Sequence, residues 1–473
     1  MNGQKISRMG DRLSRVLPLT AGIGVLLLMS TAVRADETVP RPAPPAEADS
    51  VTSDTVPPAP KTVPPAPKED DAADDRSCPT CPADETAADS DDDRLPHLFD
   101  GVNNWTKDSG FKIGGWLSQG FTWNPDNPNR NTNGPVTFND RANEYQLNQL
   151  YLFMERGIDQ DKDEWQIGGR VDLLYGTDYY FTQALGLELE QNGSQRWNSD
   201  RGPNRAFGPN TGGLYGLAMP QLYAEIGGHG WSVKAGHFYT IIGYEVVTAP
   251  DNFFYSHAYT MQYGEPFTHT GILVSRNVNK NISITGGITN GWDSFDNTND
   301  RSNFLGGITL TSDDEKTSLA FSITTGDEPS AVGNDNRTMY SIVMTRKLTD
   351  KLTWVLQHDL GVQQDGRVVA GSTRNAQWYG INNYLFYQVN DDLKAGVRYE
   401  WFRDDDGIRV AGDGIGASYN ELSLGANWNI MKRLVLRPEV RWDWSSKKKL
   451  GRPYDDGKDG SQFLYAMDLI FTF

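Results

Sequence analysis

Long apolar runs are missing from nearly the whole sequence. After residue 29 no segment approaches the roughly 18–20 uninterrupted apolar residues that a membrane-spanning helix needs, and the mean hydropathy is −0.57. These features exclude a polytopic helical membrane protein. They do not exclude a membrane-spanning β-barrel, because barrel strands are apolar only at every second residue.

Positive charge is also scarce. The chain has 44 Lys and Arg against 62 Asp and Glu, which gives a formal net charge of −18. The first 35 residues carry five basic residues and one acid, so the rest of the chain has a net charge of −22. Such an acidic protein is a poor candidate for nucleic acid, whose phosphates need a basic patch, and for anionic lipid surfaces.

Cysteine and histidine are too few to indicate a catalytic or metal centre. The only cysteines, Cys78 and Cys81, predict a local disulfide in an oxidising compartment. A redox or zinc CxxC would need a βαβ context or a second ligand pair. None of the six histidines lies in a nucleophile or HExxH-type motif. We therefore expect no catalytic residues, no metal and no cofactor. The Asp/Asn clusters at 296–300 and 404–406 lack the spacing of a calcium loop and are expected to be solvated loops.

The N-terminus has the composition of a secretory signal peptide. A basic start is followed by an apolar run over 16–29 and by small residues up to Ala35. The apolar run is too short for a membrane anchor. We predict export and cleavage near Ala35.

Residues 36–104 are predicted to form a disordered periplasmic linker. The segment is rich in Pro, Ala, Asp and Glu, and it contains the tandem repeat TVPPAPK at 55–61 and 62–68. It cannot bury enough apolar surface to fold, and its prolines favour an extended path. Two interpretations stay open, a plain spacer and a tether that contacts the cell wall.

From residue 111 onward the sequence alternates between apolar and polar positions, as β-strands do. Three segments, 165–175, 393–402 and 434–444, have an apolar face that ends in aromatic residues and a polar face with charges of both signs. Many segments are ten to thirteen residues long, whereas soluble strands have about five or six residues and bilayer-crossing strands about 9–11. The combination predicts an all-β, antiparallel, up-and-down transmembrane barrel with apolar residues facing lipid.

Counting these segments predicts sixteen strands over 105–473. They lie near 111–123, 144–155, 164–176, 218–227, 231–239, 267–275, 281–290, 302–311, 317–325, 337–346, 352–363, 375–389, 393–403, 417–428, 432–444 and 462–473. Short turns such as 228–230, 312–316 and 390–392 alternate with long connections such as 124–143, 177–217, 240–266 and 445–461. This asymmetry is typical of outer-membrane barrels, with both termini on the periplasmic side.

The last strand ends at the C-terminal Phe473. Apolar residues occupy alternate positions before it, among them Tyr465, Leu469 and Phe471. This pattern resembles the terminal signal that the barrel-assembly machinery reads, so we expect that machinery to be a partner during insertion.

Several segments resemble the second OmpL-like β-barrel porin family. They are FKIGGW (111–116), NQLYL (148–152), KAGHFY (234–239), IGYE (242–245), GGITNGWD (286–293) and LRPEVRWD (436–443). The resemblance covers about residues 105–473. It implies an outer-membrane barrel of a Gram-negative-type envelope with passive transport, and says more about the fold than about the solute.

The alternation assigns a set of charged side chains to the lumen. They are Arg170, Asp172, Glu225, Lys234, Lys394, Arg398, Glu400, Arg437, Glu439, Arg441 and Asp443. If the lumen is filled with water, these charges create a transverse field that sets ion preference, and reversing one costs little stability. Alternatively they pair with one another and stiffen the wall.

The connection 240–266 is too apolar and aromatic for an exposed loop. It follows the fifth strand, as the inward-folded loop of sixteen-stranded porins does. We expect it to fold into the lumen as a constriction, with Tyr244, Glu245, Asp251 and His257 as candidate residues; packing under neighbouring loops outside the pore is the alternative. The loop 177–217 is expected at the outer mouth.

The sequence thus favours a porin-like channel for passive diffusion of small hydrophilic solutes, embedded in outer-membrane lipid and compatible with a homotrimer. The alternative is a surface adhesion or binding barrel that uses its long extracellular loops, above all 177–217.

Overall fold

The computed structural model describes residues 109–199, 213–297, 300–447 and 451–473. The predicted signal peptide, the linker at 36–104, Cys78 and Cys81 lie outside these ranges. Within them, no helix is long and apolar enough to cross a membrane.

The described residues form a closed barrel of sixteen antiparallel strands, in which neighbours in sequence pair and β16 closes on β1. The strands are β1 (Lys112–Trp123), β2 (Tyr145–Arg156), β3 (Gln166–Gly176), β4 (Gly216–Gly228), β5 (Trp231–Tyr239), β6 (Thr268–Asn279), β7 (Ile282–Thr289), β8 (Asn303–Thr311), β9 (Thr317–Pro329), β10 (Asn334–Lys347), β11 (Leu352–Val369), β12 (Ser372–Gln388), β13 (Leu393–Asp404), β14 (Ala417–Met431), β15 (Leu434–Ser445) and β16 (Ser461–Thr472). This confirms the predicted fold class and the strand count.

Two connections are much shorter than predicted. β9 and β10 are joined by residues 330–333, and β11 and β12 by the two residues Ala370 and Gly371. β11 continues to Val369 past a register shift between Gln363 and Arg367, where the sequence pattern ends. Ala370 and Gly371 both have positive φ (51° and 79°), as a tight hairpin turn requires. An Ala-Gly pair lacks the Asn-Gly or Asp-Gly signature of such turns, so the pattern did not indicate this one.

The strands show the predicted alternation of faces. On β13, Val397 and Tyr399 are exposed on the outside, whereas Arg398 and Glu400 are completely buried on the inside. β3 shows the same alternation, since Ile167 and Leu173 are exposed on the outside and Asp172 is buried on the inside. A barrel that turns aliphatic side chains outward and charged ones inward suits a lipid surround.

Aromatic side chains form part of a ring around the outside, near the ends of strands that lead into the long connections. Trp442 and Trp444 pack at 4.6 Å between ring centroids, and Trp123 stacks on Tyr465 at 5.1 Å. Tyr379 packs on Trp401 at 5.6 Å. Such a girdle is characteristic of the membrane–water interface.

Candidate functional site: the loops inside the barrel

The segment L3, residues 240–267 between β5 and β6, crosses the lumen. In a ring of sixteen strands β13 is eight positions from β5 and therefore lies opposite it. Glu245 of L3 nevertheless forms an ion pair with Arg398 of β13. The segment also contacts β2, because the Gln149 side chain donates to the Val247 carbonyl at 2.7 Å. A connection that starts at β5 and contacts both β2 and β13 must pass through the interior of the barrel.

Arg398 is the centre of the contact between L3 and the wall. One terminal nitrogen donates to Glu245 Oε1 and to the Ser256 carbonyl, both at 2.7 Å. The other donates to Ser256 Oγ at 2.8 Å, and Nε donates to Glu421 Oε1 at 2.5 Å. The guanidinium also lies 4.8 Å from the Phe254 ring centroid. A planar group with several fixed donors is well suited to hold a chain segment in one position.

Two acids of the wall bind the backbone amides of L3. Glu400 accepts from the amides of Tyr259 and Thr260 at 2.5 and 2.6 Å. Glu439 accepts from the Ser256 amide at 3.0 Å and from its hydroxyl. These bonds satisfy amides that the irregular backbone of L3 leaves without partners of its own.

Two further arginines bind the carbonyl groups of L3. Arg437 forms a bidentate pair with Asp468 and donates to the Ala249 and Asn252 carbonyls at 2.8 and 2.6 Å. Arg441 pairs with Asp443 and donates to the His257 carbonyl at 2.6 Å. β13 and β15 therefore hold L3 by both kinds of backbone group, and Glu421 of β14 and Asp468 of β16 pair with the arginines that do so.

The expectation that this charged set faces open water is wrong. Arg398, Glu400 and Asp443 have no exposed surface, and Arg437, Glu439 and Arg441 are at most 4% exposed. L3 covers them, which the alternation within a strand cannot reveal. Each of these charges has a partner of opposite charge or a polar partner. The alternative in which the charged side chains pair with one another therefore describes them better than a charged wall in contact with water.

A second group of the predicted lumen residues lies on β3, β4 and β5. Arg170 donates to Asp172 at 2.7 Å and lies 3.3 Å from Glu155. Asp172 is buried and also accepts from Gln221 at 2.8 Å. Glu225 of β4 and Lys234 of β5 occupy opposite positions in the register of these two strands, and Lys234 Nζ lies 4.3 Å from the Tyr223 ring centroid.

Lys394 differs from the arginines. It is partly exposed on β13, and its ammonium lies 4.9 Å and 5.8 Å from the ring centroids of Phe386 and Phe253. Among the described residues, no carboxylate lies within 4 Å of this ammonium. Contacts with aromatic faces stabilise a cation without neutralising it.

The four candidate residues of the constriction lie in different surroundings. Glu245, His257 and Tyr244 pack inside the barrel, whereas Asp251 is exposed. Burial acts to raise the pKa of the Glu245 carboxyl, but Arg398 and His257 hold that pKa well below its usual range. Burial lowers the pKa of His257, and its Nδ1 lies 3.2 Å from Glu245 Oε2. Glu245 is thus a fixed, buried carboxylate, and a neutral His257 ring can donate to it.

Two more connections enter the barrel, and the sequence reasoning missed both. L2, residues 177–215, was expected at the outer mouth, yet its first turn Thr177–Thr182 is entirely buried. L1, residues 124–144, inserts Phe138 against His257 of L3 at 4.4 Å between ring centroids. The sequence contains the same signal for both loops. The segments 179–181 (YYF) and 136–138 (VTF) are apolar and aromatic, as is the segment for which an inward position was predicted.

Asp178 joins L2 to the residues that hold L3. Its two carboxyl oxygens accept from Asn148 Nδ2 at 3.0 Å and from Gln149 Nε2 at 2.8 Å. Burial raises the pKa of Asp178 to about 7, against the lowering effect of these hydrogen bonds. Burial also raises the pKa of Glu188, further along L2, to about 7.

The residues of the predicted assembly signal lie on or next to the strand that closes the barrel. Tyr465 is exposed on the outside and pairs with Trp123 of β1. Leu469 and Phe471 lie opposite Gln119 and Leu117 of the same strand. The Phe473 amide donates to the Gly115 carbonyl at 2.9 Å, and the Gly115 amide donates back at 3.0 Å.

Within the four described ranges, no group of three or more His, Cys, Asp or Glu side chains could hold a metal ion. The side chains described above form hydrogen bonds and ion pairs, and the loops fill space inside the barrel.

A family model described as "Putative beta-barrel porin-2, OmpL-like" matches residues 110–473. No protein with a curated description matches the sequence.

Solved structures of outer-membrane proteins are similar in fold. The outer membrane channel DcaP of Acinetobacter baumannii is 12% identical with a TM-score of 0.46, over 77% of this chain and 97% of that one. The anion-selective porin from Comamonas acidovorans is 10% identical with a TM-score of 0.48, over 77% and 99%. The outer-membrane protein OmpT of Vibrio cholerae is 10% identical with a TM-score of 0.46, over 77% and 97%.

Proposed function

The chain belongs to the OmpL-like β-barrel porin-2 family, and from this premise we propose an outer-membrane channel for passive diffusion of small hydrophilic solutes that is narrowed by L3. The observation that carries the proposal is the ion pair of Glu245 with Arg398, formed across the lumen at 2.7 Å. A loop fixed at that point reduces the cross-section through which solutes pass.

We propose that the end of the barrel with short turns faces the periplasm. Residues 36–104 then lie on that side as a linker, after cleavage of the signal peptide near Ala35. Protease treatment of intact cells tests this orientation, since a linker in the periplasm is protected until the outer membrane is permeabilised.

Insertion is proposed to depend on the barrel-assembly machinery reading the C-terminal strand. Phe473 bonds to Gly115 on β1, so its loss affects both the signal and the closure of the barrel. Deletion of Phe473 is expected to lower the amount of folded barrel far more than deletion of one linker residue. A homotrimer is compatible with this barrel, and crosslinking in the native membrane tests it.

Adhesion is the weaker alternative. The loop proposed for it begins with a turn that is buried inside the barrel, which removes part of the surface that a partner would bind. We also propose that the protein is not an enzyme, in keeping with a family of porins.

Planar-bilayer recording of the refolded full chain tests the channel directly. Stepwise currents are expected on insertion. Inserted, folded protein that never conducts would contradict the proposal and favour a binding role.

A further inference from the structure

The interior of the barrel has two unlike walls. β13 and β15 carry the charged residues that bind L3, and β14 and β16 carry acids that pair with them. The wall formed by β6, β7, β8 and β9 instead carries two adjacent rows of small side chains without charge, Ser275–Thr285–Gly307–Ser322 and Asn277–Ser283–Thr309–Ala320, each set side by side by strand pairing.

These rows face inward. Ile284, Ile288 and Leu310, which alternate with them along the strands, are exposed on the outside. Ser283, Thr285 and Thr309 keep partly exposed surface, unlike the covered charges of the opposite wall. Small side chains also leave more of the lumen free than arginines do.

A cavity of about 440 Å³ opens at the short-turn end of this wall. Ser283, Thr309, Thr311 and the amides of Asn277, Asn279 and Asn281 line most of it, and the charged Asp161 and Lys280 also line it. Lys280 pairs with Asp313 at 3.1 Å, and Asp161 accepts from the Asn277 amide at 2.8 Å. Hydroxyls and amides both donate and accept hydrogen bonds, so they replace the water around an uncharged polar solute, and the two rows themselves add no charge for an ion.

L3 contacts this side of the barrel through apolar groups and through two hydrogen bonds, between Thr240 and His269 and from the Phe267 amide to Asp293, both at 2.9 Å. Ile242 packs in one cluster with Leu273, Leu305 and Met339, and Ile241 is the L3 side chain nearest to Gly307. Moving a buried aliphatic side chain away from its neighbours exposes apolar surface only. Separating a buried ion pair leaves two charges without partners, which costs more free energy, and several such pairs hold the other side. Space between L3 and the barrel therefore opens most readily along β6 to β9.

We infer that solutes pass along the wall of β6, β7, β8 and β9, and that its hydroxyl and amide rows select small uncharged polar solutes such as polyols and sugars. This inference rests on the proposed channel function and names its path and its solute class. For uncharged solutes, it places the selectivity of the channel on this wall and not on the buried charged residues of β13 and β15.

The test compares two neighbouring residues on opposite faces of β7. Thr285→Trp puts a bulky ring into the path, whereas Ile284→Trp puts the same ring on the outside. We expect Thr285→Trp to reduce single-channel conductance at least twofold and Ile284→Trp to leave it unchanged. Equal effects would overturn the proposed path while the channel function stands. A wild type without any current would instead overturn the channel function.

A second variant guards against misfolding of Thr285→Trp. Thr309→Cys, in a chain with Cys78 and Cys81 replaced by Ser, folds before a thiol-reactive methanethiosulfonate reagent is added. Addition during recording is expected to reduce the current, and an unchanged current would count against the path. Liposome swelling tests the solute class: a neutral sugar should enter faster than the sugar acid or amino sugar of similar size. Faster entry of a charged analogue would overturn the solute class.

Discussion

Glu245 on L3 and Arg398 on β13 form an ion pair at 2.7 Å, and both side chains are almost fully buried. The pair joins a loop that starts at β5 to the strand directly opposite. The pair is not a surface ion pair, because both groups are almost completely shielded from water. It depends on geometry and on the further bonds of Arg398 to Glu421 and Ser256.

Removing one member of this pair is predicted to destabilise the protein strongly. Arg398→Gln leaves Glu245 buried without its arginine and Glu421 with only Arg441 at 3.9 Å, at a cost of roughly 3–5 kcal/mol. Urea unfolding in detergent, followed by tryptophan fluorescence, measures the change. Arg346→Gln is the control, because Arg346 is exposed on β10. A loss for Arg398→Gln no larger than that of the control would mean that L3 is not fixed at this point.

The sequence predicts which face of β13 and β15 points inward, but not what lies against that face. Alternation along β13 and β15 correctly placed Arg398, Glu400 and Arg437 on the inner face. It could not show whether water or protein lies against that face, because this depends on loops that come from the far side of the barrel. The aromatic content of 240–266 predicted an inward loop, and the same signal is present in YYF at 179–181, in the buried first turn of L2.

Lys394 is predicted to attract anions. Its ammonium is partly exposed and held over Phe386 and Phe253 instead of by a carboxylate, so its field reaches the lumen. Lys394→Gln should shift the reversal potential in a KCl gradient toward cations, whereas Lys394→Arg should leave it nearly unchanged. Lys351→Gln, in an exposed turn, is the matched control. A shift of equal size in the control would assign the effect to overall charge.

Asp178 is predicted to make the packing of L2 depend on pH. Burial raises its pKa to about 7 in the folded protein, whereas an exposed aspartate has a pKa of about 3.9. The folded state therefore binds the extra proton between these values, and its stability falls as pH rises through that window, by up to roughly 1.4 kcal/mol per pH unit. Above about pH 7 no further change is expected from this group.

Limited proteolysis of L2 measures this effect. Cleavage after Tyr179–Phe181 should be slower at pH 5 than at pH 8 once corrected for the activity of the protease on an unfolded substrate. Asp178→Asn removes the titrating group and should reduce the difference, although Glu188, whose pKa burial also raises to about 7, retains part of it. An unchanged difference in Asp178→Asn would show that other groups are responsible.

In the proposed channel L3 crosses the lumen and sets the width of the pore, and single-channel conductance tests this most directly. Removing residues 248–259 deletes the part of L3 that binds Arg437, Arg441 and Glu439, while the hydrogen bonds that close the barrel run between strands and remain. A shortened protein that still migrates as a folded barrel should conduct at least twice as much as the wild type. Unchanged conductance in that folded variant would contradict the claim, because the current would then pass where L3 does not narrow the pore.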